Sequence, residues 1–244
     1  MPNLVATAKS TYAAGARAAG RGLTRVGVLP EEPPARSRRL KHWAYSLTRA
    51  HDSLGISELD VPWWTYGAID AVEEFITERR HDGDVNVFEW GSGASTIWLA
   101  RRVSRVDSVE HHRGFGEMIQ ARLADEFPNA HLQIVEPVTS ASPVIGSAKE
   151  GHRGLDFTTY VGHIDGVAAE YGPFDLVVVD GRAREACLAA ALPHLSPGGL
   201  VVFDNTMRRR YRAAIAALPV AEARYRGLTP TLPYPDQTSL VTRR

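Results

Sequence analysis

Four short strand-like runs in this 244-residue chain each end on a carboxylate. Val85-Asn86-Val87-Phe88 leads into Glu89-Trp90-Gly91-Ser92-Gly93, and Val106 to Val109 into Glu110-His111-His112. Phe174 to Val179 leads into Asp180-Gly181-Arg182, and Leu200 to Phe203 into Asp204-Asn205. An acid at a strand end, about 20 residues beyond a Gly-x-Gly turn, can accept two hydrogen bonds from a ribose diol. Glu110 has that place, which suits any nucleoside-like ligand, NAD included. Gly91 and Gly93 permit close approach of backbone, and a helix that follows them offers unpaired N–H groups. Thr96 stands where a dinucleotide fingerprint has its third glycine, which argues against a pyrophosphate packed under the helix. Acids at strand ends also serve as helix N-caps, so their position alone does not prove a ligand.

The elements that must position these residues follow from periodicity. Helices are predicted over about 36–51 (Leu40, Trp43, Leu47 on one face), 66–80, 95–102, 114–127, 164–171, 184–195 and 207–218. Strands are predicted at 85–89, 105–110, 130–135, 174–179 and 200–203, alternating with the helices, which argues for a parallel, doubly wound sheet. Two last strands, about 221–226 and 238–242, have no crossover helix between them and must pair as a hairpin. The expected fold is therefore α/β: a doubly wound, mostly parallel, Rossmann-like seven-stranded sheet with an antiparallel C-terminal hairpin. The stretch 137–162 is long for a connection and reads as functional or as holding a small extra element. Trp63 and Trp64 read equally as core cover or as the roof of a pocket.

The runs Val87 to Ala100, Val106 to Glu110, Phe174 to Asp180 and Leu195 to Asp204, with Pro197-Gly198-Gly199 before the last strand, resemble the successive motifs of class I S-adenosylmethionine-dependent methyltransferases. The resemblance covers about 66–242. It implies that Glu89, Gly91, Ser92 and Gly93 surround the methionine part of the cofactor, and that Ser95 and Thr96 help hold its carboxylate. It implies further that Glu110 binds the ribose, that His111 lies beside the adenosine, and that Asp180 lies near the transferred methyl. Methyl transfer from a sulfonium needs alignment and, for some acceptors, a proton acceptor. Asp180 and His163 are the expected catalytic residues, with Asp204 a further candidate base. Asp180, Asp204 and Asn205 also resemble the divalent-metal ligands of catechol-type and caffeoyl-type O-methyltransferases. The lysine that follows the first Asp there is replaced here by Arg182-Ala183-Arg184. The expectation is therefore direct contact of the two aspartates with cofactor or substrate, or helix capping, with Mg²⁺ as the alternative.

The expected activity is methyl transfer from S-adenosylmethionine to a small molecule, at a hydroxyl oxygen. The competing readings are an NAD-dependent oxidoreductase and a non-catalytic methyltransferase-like binding module. Lys+Arg and Asp+Glu number 28 each, so no global field draws the chain to nucleic acid or an anionic surface. Nucleic acid is not expected as a partner, whereas Arg182, Arg184 and Arg208-Arg209-Arg210 could meet an anionic acceptor. No apolar run approaches the roughly 18 residues of a membrane span. The single cysteine, Cys187, excludes an internal disulfide and suits a reducing, cytoplasmic setting. Residues 1–34 read as a basic arm and linker, without an acid before Glu31. Residues 35–80 read as a helical cover and 81–244 as the cofactor-binding domain; a homo-oligomer is allowed.

Overall fold

The computed structural model describes residues 25, 27, 30–49 and 53–244. The expectations for the basic arm before residue 30, and for the end of the helix at His51, lie outside these residues apart from positions 25 and 27. Helices α1 (Arg39–Arg49), α2 (Ser53–Ser57) and α3 (Tyr66–Asp82) precede the sheet. Then come β1 (Asn86–Trp90), α4 (Ala94–Ala100), β2 (Arg105–Glu110), α5 (Arg113–Glu126) and β3 (Ala130–Ile134). Two short strands follow, β4 (Val138–Thr139) and β5 (Leu155–Asp156), and after them α6 (Thr158–Tyr171), β6 (Phe174–Val179) and α7 (Arg184–Ala191). The chain ends with β7 (Leu195–Phe203), α8 (Arg209–Ala216), β8 (Val220–Gly227) and β9 (Asp236–Arg243).

Seven strands form one sheet in the order β3-β2-β1-β6-β7-β9-β8. The pairs from β3 through β7 are parallel, whereas β9 runs antiparallel to both β7 and β8. The strand order reverses between β1 and β6, and in an open α/β sheet such a reversal leaves a crevice beyond the carboxyl ends of the strands. The inner strands are apolar on both faces because helices cover both. Val87, Leu176, Val178 and Val202 face a cluster with Trp64, Ile69 and Val72, while Phe88, Val177, Val179 and Phe203 face one with Tyr160, Leu188 and Ile215. Trp64 and Trp98 meet edge to face at 5.8 Å in the first cluster, a contact worth about 0.5–1.5 kcal/mol beyond area burial.

Two boundaries differ most from the sequence reading. Helix α6 begins at Thr158, six residues before the expected Ile164. Asp156 accepts hydrogen bonds from the Thr158 N–H (2.8 Å) and Oγ1 (2.5 Å), and Phe157, Tyr160, Val161 and Ile164 are buried at helical spacing. The Ser196-Pro197-Gly198-Gly199 segment lies inside β7 rather than before it, as an irregularity opposite the Phe174–Leu176 stretch of β6. The long connection does hold an extra element, the β4–β5 hairpin.

Candidate active site

Side chains alternate along a strand, and by that alternation the four strand-end acids share the face of Val87, Val106, Val178 and Val202. Glu89 points toward the N-terminus of α4 and is sealed, with no exposed surface. Its carboxylate accepts hydrogen bonds from Ser95 Oγ, from Thr96 Oγ1 at 2.5 Å and from Ser108 Oγ at 2.7 Å. Burial pushes its pKa up to about 7 against the pull of those three hydroxyls. Thr96 Oγ1 also accepts the Gly93 N–H at 2.9 Å. Glu89 and Thr96 thus brace the turn from beneath rather than line the ligand cavity, whereas Ser95 lines it and also bonds Glu89. Thr96 also fills the place of the third dinucleotide glycine with a buried, doubly bonded hydroxyl.

Gly91 has φ +94°, and a Cβ there would lie 2.6 Å from Gly181 Cα. The close approach that Gly91 permits is thus to the end of β6. That contact draws the two strand ends together at the topological reversal, and a cavity of about 330 Å³ opens there. Gly91, Ser92, Gly93, Ser95, Glu110, His111 and Asp180 line it. Among the residues the sequence proposed for the site, Glu89, Thr96 and His163 stand apart from this cavity, as do Asp204 and Asn205.

Glu110 is 3% exposed. Burial raises its pKa, but His111 and the backbone N–H groups of His111 and His112, each 2.8 Å from Oε1, win and hold it below the usual value. The Ser92 N–H, 3.2 Å from Oε2, ties the carboxylate to the glycine turn. Glu110 is therefore an ionised acceptor at the cavity wall. His111 Nδ1 lies 2.6 Å from Glu110 Oε1, and its ring stands 5.6 Å from that of His152 and 6.0 Å from that of Phe157. The Ser92 Oγ is buried with no partner in the protein, an orphaned polar atom of the kind a bound ligand satisfies.

His163 sits on α6 above β1 and β2, with its ring 6.5 Å from Phe88. It lines a separate cavity with Asp107 and Ser108, so the expectation that it works beside Asp180 is corrected. Asp180, Asp204 and Asn205 do converge, and the Arg184 guanidinium fills the space between them. It donates to Asp180 Oδ1 at 2.5 Å, to the Asp180 carbonyl at 2.6 Å, to the Asp204 carbonyl at 2.9 Å and to Asn205 Oδ1 at 3.0 Å. Asp204 Oδ2 lies 4.0 Å from the same group, and Asp204 Oδ1 accepts from Thr238 Oγ1 at 2.7 Å. These oxygens suit a resident cation of guanidinium shape and do not fit Mg²⁺, which requires them octahedrally at short range. Burial, followed by the charge of Asp180, pushes Asp204 up to about 8, against the opposing pull of Arg184. Burial likewise raises Asp180, opposed chiefly by Arg184, although about a fifth of its side chain stays open, 21%.

Trp63, Ala94, His112, Phe115, His152, Gly181 and Arg182 complete the cavity lining. Of the two tryptophans weighed equally from sequence, Trp63 lines the cavity and Trp64 is fully buried core. Trp63 is held by a hydrogen bond from its Nε1 to Thr231 Oγ1 at 2.7 Å, and the Thr231 N–H bonds Ser46 Oγ on α1 at 2.9 Å. Sequence reasoning missed His112, Phe115 and His152. The first two lie within five residues of Glu110, a proximity that could have marked them. His152 sits in an irregular loop whose local pattern carries no signal.

Residues 88–206 match the family model of a methyltransferase domain. Over that segment the chain is similar to a methyltransferase domain, consistent with the class I S-adenosylmethionine-dependent methyltransferase family. Its strand order, with β9 antiparallel beside β7, is that of the methyltransferase Rossmann-like sheet. Among solved structures, the chain is similar to a methyltransferase-like protein from Silicibacter pomeroyi, with 24% identity over 70% of this chain and 85% of the other, and a TM-score of 0.45. It is also similar to a candidate caffeoyl-CoA O-methyltransferase from Staphylococcus aureus (14% identity, 78% and 89% covered, TM-score 0.49). A third is an S-adenosylmethionine-bound amino pentose methyltransferase from Micromonospora echinaspora (16% identity, 72% and 89% covered, TM-score 0.45). No curated protein matches the sequence. Among the described residues, no helix is long and apolar enough to cross a membrane.

Proposed function

We propose that this methyltransferase acts on a small molecule at a hydroxyl oxygen, with the cofactor held in the cavity at the ends of β1, β2 and β6. The observation that carries the reading is that an ionised Glu110 and a partly open Asp180 face one cavity across the Gly91–Gly181 contact. In this reading Glu110 takes the ribose hydroxyls, and His111 with His152 provides flat surface for the adenine ring. Gly91, Ser92 and Gly93 receive the methionine end, where the unpartnered Ser92 hydroxyl finds its hydrogen bond.

The bound cofactor supplies a methyl group already activated on a sulfonium, so no protein nucleophile is needed. What the chain must add is alignment and an outlet for the acceptor's proton. Asp180 is the group placed to receive that proton: it lines the cavity, and Arg184 fixes its orientation. A raised proton affinity suits a general base working near neutral pH. Trp63, anchored through Thr231 to α1, shields the reacting atoms from bulk water. Recessed cavities and a zero net charge favour a small acceptor over nucleic acid.

Titration calorimetry with S-adenosylmethionine and S-adenosylhomocysteine tests the cofactor assignment. The wild type should bind both, and Glu110→Gln should weaken both by at least about tenfold, the loss of charge-assisted hydrogen bonds to a diol. Failure of the wild type to bind either compound would overturn it. For the acceptor, release of S-adenosylhomocysteine is followed with paired phenols and anilines; turnover of the amines alone would rule out the oxygen assignment.

A further inference from the structure

A second cavity, of about 400 Å³, opens from the same strand ends and shares Trp63, Gly181 and Arg182 with the first. Its wall is cationic: Lys149, Arg182, Arg184, Arg208 and Arg210 line it, and Glu185 is the one carboxylate among its lining residues. Arg184 is neutralised by Asp180, and Arg210 Nε lies 3.3 Å from Glu185. Among the described residues, no carboxylate lies within 4.0 Å of the Arg182 or Arg208 guanidinium. The Arg182 Nε is buried and lacks a hydrogen-bond partner. The buried Tyr211 ring gathers three of these groups, with Arg184, Arg208 and Arg210 at 5.8, 5.6 and 4.8 Å from its centroid. Its hydroxyl accepts from Arg210 Nη2 at 3.0 Å.

Like charges crowded into one recess repel, and an unpaired buried guanidinium donor carries a desolvation cost. An oxyanion relieves both, because a guanidinium presents paired N–H groups matched to carboxylate and phosphate oxygens. We propose that this cavity is the acceptor subsite and that it binds an oxyanion group, a phosphate or a carboxylate, carried by the methyl acceptor, with Arg182 and Arg208 as its principal partners. The inference rests on the first cavity being the cofactor site, since the shared residues set the second cavity beside it. It makes the acceptor an anionic hydroxylated molecule. Its anionic end lies under α8, and its hydroxyl reaches past Arg182 toward Asp180. The zero net charge of the chain does not oppose this, because the selectivity is local to one recess.

The test uses the whole chain, with inorganic phosphate and acetate as separate probes, titrated by calorimetry with and without saturating S-adenosylhomocysteine. At low ionic strength the wild type should bind at least one probe; the tighter of the two assigns the class. Arg208→Gln and Arg182→Gln should each weaken binding by at least about tenfold, and Arg208→Lys should recover part of the loss. Arg212→Gln, an equal charge change on α8 outside the cavity, should leave the affinity within twofold of wild type. Arg208 is exposed, so its variant keeps the fold and carries the test even if Arg182→Gln does not. Binding of neither probe, or equal weakening by Arg208→Gln and Arg212→Gln, overturns the inference. Binding of S-adenosylhomocysteine without either probe sinks the anion subsite alone, whereas binding of the probes without S-adenosylhomocysteine sinks the cofactor assignment on which the subsite's role depends.

Discussion

Arg184→Ala should be the most damaging single change near the site, and its cost should depend on pH. The guanidinium is 6% exposed. It donates to Asp180 Oδ1, the carbonyls of Asp180, Gly181 and Asp204, and Asn205 Oδ1. Truncation leaves two nearly enclosed carboxyls beside each other with no cation. Breaking a buried pair by removing one partner costs about 3–5 kcal/mol, and the upper half of that range applies because two acids lose the same partner. Asp180 and Asp204 already have folded pKa values above their unfolded ones. Such groups stabilise the fold fully below the unfolded pKa and lose that contribution as pH rises through the folded pKa. Without Arg184 both pKa values move higher still. The deficit relative to wild type should therefore be smaller near pH 5 than above about pH 8, the value to which Asp204 is already pushed, because the still higher pKa values of the variant cost it stability as pH rises. Urea unfolding of both proteins at about pH 5 and about pH 8.5 measures it. A deficit under about 1 kcal/mol, or one equal at the two pH values, would refute the reasoning. The guanidinium also holds the positions a metal would need, so neither Mg²⁺ nor EDTA should shift the wild-type melting temperature.

Gly91→Ala forces a left-handed backbone on a side-chain residue and drives its Cβ to 2.6 Å from Gly181 Cα. It should cost about 2–4 kcal/mol by urea unfolding, from the left-handed penalty plus overpacking, and should abolish S-adenosylhomocysteine binding because the cavity wall shifts. Glu89 has a folded pKa of about 7, above its unfolded value, so its contribution to stability falls as pH rises toward and through 7, by roughly 3 kcal/mol over the full range. Glu89→Gln should flatten the wild-type stability profile between about pH 5 and 8; an unchanged slope would mean that Glu89 is ionised in the fold. His163→Ala, on a separate cavity, should leave the S-adenosylhomocysteine affinity within about twofold of wild type and the methyl-transfer rate nearly intact, as calorimetry and product release would show.

Much of the fold was legible in the sequence because its signals are local and periodic. Leu176 to Val179 and Leu200 to Phe203 are apolar throughout, which only a strand covered on both faces allows, and the absence of a crossover helix after residue 226 required the antiparallel hairpin. The start of α6 was missed because its start signal, Asp156, sits in a Gly-rich stretch that reads as loop. For the site, Glu110 and Asp180 could be placed on the cavity from strand ends alone. Glu89 stands at an equivalent strand end and on the same face of the sheet, but its role as a buried brace emerges only when Ser95, Thr96 and Ser108 meet around it. Arg184 was visible merely as one of several arginines. Its insertion between Asp180 and Asn205 depends on the left-handed backbone of Ala183 and Asn205 at the ends of β6 and β7, which nothing in their residue types announces.

The most direct measurement is a crystal structure of the protein with S-adenosylhomocysteine. The account predicts the ribose hydroxyls on Glu110, the adenine ring against His111 and His152, the amino-acid end over Gly91 to Gly93, and the sulfur facing Asp180. Density for the ligand beside His163 and Asp107, or ribose hydroxyls bound away from Glu110, would contradict it.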